Sequence, residues 1–282
     1  MDLDGLKGWV GRRASAEDLA SLPPVAALSA TLDRDDPPPK AGDALPPLWH
    51  WLFFLEAKPA SELGHDGHPK RGGFLPPVPL PRRMWAGSRL SFRKPIPLGA
   101  AIRRDSEILK VETKEGRTGT LVFVTVRHRI VCESATAIEE EHDIVYRNAP
   151  KHGDAAPPPK SAPADAAWTR ALSPDAVLLF RYSALTFNGH RIHYDHPYVT
   201  QVEGYPGLVV HGPLQATLML DLLRRQRPEA RVARFSFRAL SPVFADRPLS
   251  VNGRAAGEKI ALWVANDAGY LAMEGEAVLA EP

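Results

Sequence analysis

Cysteine is almost absent from this sequence of 282 residues, where Cys132 is the only one. A single thiol excludes an intramolecular disulfide and any zinc site built on several cysteines of the chain. Because such a composition is typical of proteins kept in a reducing compartment, we expect a cytoplasmic protein.

Long hydrophobic runs and an excess of one charge are also missing. The longest uncharged stretch, 204–220, is interrupted by two prolines and His211, and the first residues lack the basic and apolar regions of a signal peptide. The 35 basic and 33 acidic side chains leave a formal charge of +2, without the basic excess that nucleic-acid binding requires. We therefore expect neither a membrane nor a nucleic acid as partner.

Proline, by contrast, is plentiful, with 28 residues. Residues 148–166 combine five of these prolines with alanine and lysine and show no apolar periodicity, which is typical of a semi-extended linker. This segment predicts a division of the chain into an N-terminal domain of residues 1–147, the linker 148–166 and a C-terminal domain of residues 167–282.

Each half is predicted to contain a buried helix followed by about four antiparallel strands. The helices are expected in two almost wholly apolar runs, 48–55 and 214–223. Alternating or β-prone segments predict strands, in the first half at 89–92, 102–113, 120–131 and 138–146, and in the second half at 232–239, 249–255, 260–265 and 270–279. Two sheets, each curled around a helix and paired edge to edge, give an α+β double hotdog. The alternative is two unrelated α+β domains.

Side chains that carry chemistry are concentrated between residues 188 and 196, just before the predicted helix start at Gly212 and Pro213. One interpretation is a metal site of His190, His193, Asp195 and His196, and another is structural hydrogen bonding in a loop. The third is acid–base chemistry on a thioester, with His193 as the base, Asn188 orienting water or substrate, and the Gly212 amide donating at a helix start.

The segment 182–195, YSALTFNGHRIHYD, resembles the signature of the MaoC-like hotdog hydratases. The resemblance extends to GYPGLVVHGPLQATLML (204–220) and, upstream, to LPPLWHWLFFLE (45–56) and GGFLPPVPLPRRMWAGSRLSF (72–92). It is closest to the branch of itaconyl-CoA and mesaconyl-C4-CoA hydratases and of mitochondrial-type 3-hydroxyacyl-thioester dehydratases. It implies a lyase acting on an acyl-CoA without a metal, and with no cofactor except the coenzyme A of the substrate.

The resemblance also implies a catalytic C-terminal hotdog and a non-catalytic N-terminal one, so we expect no catalytic group from residues 1–147. The family's D-x-N-P-x-H motif places its His on His193, its Asp on Asn188 and its Asn on His190. Asn188 cannot exchange a proton at neutral pH, so His193 is expected to serve as both base and acid. Asp195 is a candidate for orienting the imidazole.

The substrate-binding candidates begin with the proline-stiffened loop 73–85, which ends in Arg82, Arg83 and Trp85. The resembled family includes substrates with a second carboxylate, and a guanidinium can bind such a carboxylate in bidentate fashion. The resemblance therefore implies a C5 dicarboxylyl-CoA as the expected substrate. The alternatives are a 3-hydroxyacyl-thioester dehydratase of fatty-acid type and a non-catalytic acyl-CoA-binding module. Tyr182, expected in a strand, and His211 complete the candidates. Assembly into a homodimer is left open.

Overall fold

Ten strands and four α-helices make up the part of the chain that the computed structural model describes, residues 5–116, 119–148 and 158–281. The first half contains β1 (Arg13–Leu19), α1 (Leu22–Thr31), β2 (Arg82–Phe92), β3 (Ala101–Gly116), β4 (Gly119–Cys132) and β5 (Ala135–Arg147). The second contains β6 (Trp168–Leu172), α2 (Ala176–Thr186), α3 (His196–Gln201), α4 (Gly212–Gln226), β7 (Val232–Ala239), β8 (Leu249–Ala256), β9 (Lys259–Asn266) and β10 (Leu271–Leu279).

All ten strands belong to one antiparallel sheet in the order β1-β3-β4-β5-β2-β7-β10-β9-β8-β6. The five strands of each half are contiguous, and β2 pairs with β7 where the halves meet. At this junction Gly87 has no room for a side chain, because a Cβ there would lie 2.3 Å from the carbonyl oxygen of Phe237. The predicted α+β double hotdog, with two sheets paired edge to edge, is confirmed.

Most strands follow from side-chain alternation. In β4 the residues Val122, Val124 and Val126 are buried on one face, where they pack with Val78 and Leu80 of the proline-rich segment before β2. Five of the eight predicted strands agree with the structure to within two residues at each end, and β2, β3 and β5 extend further. The short outermost strands β1 and β6 were not predicted.

Helix α4 is the buried helix predicted around 214–223. It has a proline in its first turn, two arginines in its last turn and ten consecutive buried residues, 214–223. The helix packs against β6, β8, β9 and β10. Its buried Asp221 accepts hydrogen bonds from Arg34, Arg170 and Arg225 at 2.5, 2.7 and 2.8 Å, so a guanidinium of the first half is fixed to the central helix of the second.

The prediction of a helix over 48–55 is wrong. The segment forms only a short 3-10 helix, Trp49–Leu52, preceded by Leu48 with a φ of 71° and followed by Phe54 with a φ of 60°. An apolar run of eight residues fits several buried conformations equally well. The α-helix of the first half is α1, which was not predicted.

Helix α2 corrects a second expectation, because Tyr182 and Ser183 lie in this helix rather than in a strand. Asp175 caps it by accepting a hydrogen bond from the Leu178 amide at 2.8 Å. Residues 149–157 of the predicted linker lie outside the described residues, which begin again at residue 158. Within the described chain, no helix is both long and apolar enough to cross a membrane.

Candidate active site

A cavity of about 1740 Å³ lies where the two halves meet, and both halves line it. The second half contributes residues after α2 and at the start of α4, including Asn188, His190, His193 and Gly212. The first half contributes His68, Arg83, Trp85, Arg104, His128, Glu140 and His142. The predicted site residues of the second half are therefore brought together, facing a polar wall from the first.

His193 ends a short 3-10 helix, Arg191–His193, and is buried. Its Nδ1 lies 2.7 Å from the carbonyl oxygen of Val209, and because a carbonyl only accepts, Nδ1 carries the hydrogen. The lone pair is therefore on Nε2. Burial lowers the pKa of His193 to about 4, so the imidazole is neutral at pH 7 and able to accept a proton through Nε2.

Asn188 follows the left-handed C-terminal residue of α2, Phe187, whose φ is 49°. Its side-chain oxygen accepts a hydrogen bond from the His190 amide at 3.0 Å. The carboxamide is therefore held through its oxygen, and its NH₂ group is left as the donating end. Asn188 lines the cavity and can position an oxygen atom there.

Gly212 is the first residue of α4, and it also lines the cavity. The first amides of a helix have no partner within that helix, and their dipoles favour negative charge. A Cβ at Gly212 would meet only Met273, at 3.9 Å, so the glycine is not needed to avoid a close contact in the fold. Gly212 therefore lines the same cavity as His193 and Asn188.

His211 lies behind His193 and not at the cavity wall. It is fully buried and stacks on the His193 ring with centroids 3.6 Å apart. The Ser183 hydroxyl shares a hydrogen bond with its Nε2 at 2.8 Å, and Tyr182 packs edge-on against it. Of the two candidates here, Tyr182 lines the cavity, as does Ser183, whereas His211 is not among the lining residues and supports His193 by stacking on its ring.

Asp195 does not orient the His193 imidazole. Its carboxylate caps α3 by accepting from the Tyr198 amide at 3.0 Å and pairs with Arg191 at 2.7 Å, while Val209 holds the ring of His193. His196 is exposed at the start of α3. The four residues of the metal interpretation therefore do not converge on one point.

A different group of side chains does converge. Asp66, His68 and His190 offer atoms that all lie within 4.8 Å of one another, a spacing compatible with a metal ion. His68 and Asp66 are already joined by a hydrogen bond from Nδ1 to Oδ2 at 3.3 Å, which occupies one potential ligand atom of each. Asp66 and His68 were not predicted from the sequence, because they lie more than 100 residues before the signature segment.

The two candidate arginines have different surroundings. Arg82 points away from the cavity, where it forms an ion pair with Glu203 at 3.2 Å and packs over the Tyr205 ring. Arg83 lines the cavity, and its positive charge lowers the pKa values of His68, His142 and His190. Of the two, only Arg83 is placed to contact a molecule in the cavity.

Trp85 lines the cavity next to Trp51 and His142, with ring centroids 4.9 and 4.0 Å away. Next to these aromatic rings is the buried Glu140, which also lines the cavity and was not predicted from the sequence. Its carboxylate accepts from the Trp51 indole at 3.0 Å and from the Ser88 hydroxyl at 2.7 Å, and it meets His50 at 3.2 Å. Although burial raises the pKa of Glu140, the hydrogen bond to His50 and the nearby imidazoles of His142 and His128 lower it to about 2. The carboxylate beside the aromatic wall is therefore ionised.

Known proteins resemble this chain along nearly its whole length. Residues 48–245 match the family described as hydroxyacyl-thioester dehydratase type 2. A mesaconyl-C(4)-CoA hydratase of Chloroflexus aurantiacus is 48% identical over 254 residues, which is 90% of each chain. The mitochondrial hydroxyacyl-thioester dehydratase type 2 of Schizosaccharomyces pombe is 30% identical over 278 residues, covering 88% of this chain and 91% of the other.

Among solved structures, HtdX of Mycobacterium tuberculosis superposes with a TM-score of 0.64 at 18% identity. The alignment covers 94% of this chain and 98% of HtdX. At this identity the similarity concerns the fold, and it extends to both halves of the chain.

Proposed function

The chain belongs to the hydroxyacyl-thioester dehydratase type 2 family, and from this membership we propose that it is a hydratase that adds water to an α,β-unsaturated acyl-CoA. The preferred acyl group is a C5 dicarboxylyl, so that mesaconyl-CoA or itaconyl-CoA gives citramalyl-CoA. The observation that carries the proposal is a buried, neutral His193 whose Nε2 is free, in one cavity with Asn188 and the first amide of α4.

His193 acts on the water molecule. Its Nε2 accepts a proton from water while the water oxygen forms a bond to the β-carbon of the thioester. The NH₂ group of Asn188 holds the attacking water or the acyl group. Electron density moves to the thioester oxygen, where the Gly212 amide and the dipole of α4 stabilise it.

Arg83 binds the distal carboxylate of the acyl group in this proposal. It is the candidate arginine that lines the cavity, whereas Arg82 is paired with Glu203. A guanidinium matches a carboxylate in bidentate geometry, and the same group facing a methyl would lose water without gaining a partner.

The remaining features of the proposed enzyme are its acyl-CoA substrate, its lack of a metal or cofactor, and its location in the cytoplasm. The addition needs a base, a proton and hydrogen-bond donors, all of which side chains and backbone can supply. Lack of metal and cytoplasmic location stay predictions, and elemental analysis of the purified protein tests the first. Stoichiometric metal whose removal abolishes activity would contradict it.

The substrate test compares mesaconyl-C4-CoA, itaconyl-CoA and crotonyl-CoA by the loss of enoyl-thioester absorbance. A charge-assisted hydrogen bond contributes roughly 1.5–3 kcal/mol, so kcat/KM should favour a dicarboxylyl thioester by about ten- to a hundredfold. Arg83→Gln should remove most of this preference. Arg93→Gln is the control, because Arg93 is an exposed arginine paired with Glu139, and it should keep the preference unchanged.

A 3-hydroxyacyl-thioester dehydratase of fatty-acid type is the second candidate. A cavity of about 1740 Å³ is much larger than a C5 acyl group, which favours this alternative. If crotonyl-CoA is the best substrate, or if Arg83→Gln leaves the ratios unchanged, the dicarboxylyl proposal fails in favour of this one. If none of the thioesters is turned over, the hydratase proposal itself fails.

A further inference from the structure

A loop of the first half, residues 64–68, is packed directly on the catalytic loop of the second. The Arg191 amide donates to the Asp66 carbonyl oxygen at 2.9 Å, and the Arg191 guanidinium donates to the His65 carbonyl at 3.0 Å. Gly67 and Gly189 approach so closely that a Cβ on Gly67 would lie 1.9 Å from the Gly189 carbonyl oxygen. These backbone contacts fix the position of the loop relative to His190 and His193.

The contact places His68 at one end of a row of imidazoles. Its ring centroid lies 4.1 Å from that of His190, which lies 5.5 Å from that of His193. His68 is the member of the row with a carboxylate partner, since its Nδ1 donates to Asp66. Its Nε2 therefore carries the lone pair, and about a fifth of its side chain is exposed to the cavity.

Hydration moves two protons, one away from water and one to the α-carbon. When His193 accepts the proton lost by water, the α-carbon must still gain a proton. Asn188 occupies the place of the family's second acid–base residue and cannot supply one. Of the imidazoles in the row, His68 is the one hydrogen-bonded to a carboxylate, Asp66, which stabilises its protonated form.

We propose that His68, positioned by Asp66, is the second acid–base group and exchanges the proton of the α-carbon. This proposal replaces the expectation from the sequence that His193 is both base and acid and that residues 1–147 hold no catalytic group. This inference rests on the proposed hydratase function. In hydration, the water oxygen bonds to the β-carbon and the released water proton goes to Nε2 of His193. The electron pair of the double bond takes the proton from Nε2 of the His68 imidazolium, forming the new C–H bond. Solvent then deprotonates His193 and reprotonates His68.

The surroundings of His68 link this step to the charge of the acyl group. Burial, Arg83 and Arg71 hold the pKa of His68 below its usual value, whereas Asp66 favours the imidazolium. The neighbouring imidazoles of His190 and His193 are neutral, because burial lowers their pKa values as well. A carboxylate bound beside Arg83 offsets that positive charge, so a dicarboxylyl substrate promotes protonation of His68.

The experiment compares His68→Gln with His65→Gln, a matched control in the same loop whose side chain is exposed. For His68→Gln we expect kcat for the best thioester to fall by about 10²- to 10⁴-fold, with KM within threefold of the parent value. Exchange of the α-proton of the hydroxyacyl product with D₂O, followed by ¹H NMR, should fall by a similar factor. His65→Gln should match the parent in both measurements.

Two further variants separate proton transfer from a structural role. In His68→Ala, added imidazole should restore part of kcat, because a free base can occupy the vacated space. Asp66→Asn should lower kcat at least tenfold and change its pH profile, since the imidazolium loses its partner. Asp66→Asn also gives the decisive measurement if circular dichroism finds the His68 variants unfolded.

The failures of the two proposals are distinguishable. If the parent hydrates a thioester and folded His68→Gln keeps kcat and α-proton exchange within threefold, this inference is wrong while the hydratase function stands. Unchanged activity in Asp66→Asn would overturn it equally. An essential metal ion bound by Asp66, His68 and His190 would also overturn it, because His68 would then be a ligand. A parent inactive towards every thioester overturns the hydratase function.

Discussion

His193 is made reactive by three separate neighbours. The Val209 carbonyl fixes its tautomer, His211 stacks on its inner face, and burial keeps it neutral. None of these contacts depends on residues next to His193 in the sequence. The reactivity of the imidazole is therefore a property of the loop and of the α4 entrance together.

Replacing His193 with Gln should lower kcat by about 10²- to 10⁴-fold, because the amide cannot accept a proton from water. Hydration of the best thioester measures the effect, and circular dichroism verifies the fold. His196→Gln serves as the control, since His196 is exposed in α3. Full activity in His193→Gln would refute its assignment as the base.

The pH dependence of the reaction follows from the same residue. With its pKa lowered to about 4, His193 stays in the basic form far below the ordinary histidine pKa of about 6.5. We therefore expect kcat/KM for hydration not to fall between pH 7.5 and about pH 5. An acidic loss of kcat/KM with a midpoint near pH 6.5 would contradict this expectation.

The sequence predicted Asn188, His193 and Gly212 because they lie within 25 residues of one another. It could not predict the contributions of His68 and Glu140, since these residues reach the cavity only after β2 has paired with β7. It also retained Arg82 and Arg83 as equal candidates. Their difference depends on Glu203, a partner that the spacing of residues does not reveal.

At the scale of secondary structure, strands were predicted better than helices. The alternation along β4 identifies both the strand and its buried face, because a half-buried strand has a period of two residues. The segment 48–55 has no such period, and its burial comes from contacts that turn His50 and Trp51 towards Glu140. The apolar composition of this segment therefore predicts that it is buried, but it does not predict a helix.

The pairing of β2 with β7 predicts a sensitive position at Gly87. In Gly87→Ala the new methyl would lie 2.3 Å from the Phe237 carbonyl, so the strands must separate locally. We expect the free energy of unfolding in urea to fall by about 1–3 kcal/mol. Gly73→Ala is the matched control, because no atom lies within 4 Å of a Cβ placed there. Equal stability of the two variants would contradict the close junction.

At the scale of the whole molecule, the two halves are one functional unit. The sheet is continuous, residues of both halves line the cavity, and Arg34 of the first half donates a hydrogen bond to Asp221 of α4. The first half also contains several buried histidines near the cavity. Their burial gives the stability of the entire chain a dependence on pH.

Acid should destabilise the protein below pH 6.5. Burial lowers the pKa values of His128, His142 and His193 to about 3, 4 and 4. The unfolded chain, whose histidines titrate near 6.5, therefore binds more protons than the folded chain between these values. Each such histidine should lower the free energy of unfolding by about 1.4 kcal/mol per pH unit below 6.5.

Urea unfolding at pH 7.5, 6.5 and 5.5 measures this dependence. The test variant is His128→Asn, because His128 is held by a hydrogen bond to Ser106 at 2.8 Å. Between pH 6.5 and 5.5 the free energy of unfolding of this variant should depend less steeply on pH, by an amount that corresponds to about one bound proton. Exposed His196→Asn should leave the slope unchanged. A free energy of unfolding that is constant across the three pH values would contradict the prediction.

The backbone contact between Gly67 and Gly189 has a consequence for inheritance. The loop around Gly67 and the loop around Gly189 fit each other closely, although the two glycines lie more than 100 positions apart in the sequence. A recombination that joins the first half of one relative to the second half of another would bring together loops that were not selected as a pair. We therefore expect the genes of such enzymes to diverge as undivided units, and chimaeras joined within 148–166 to keep their sheets more readily than their activity.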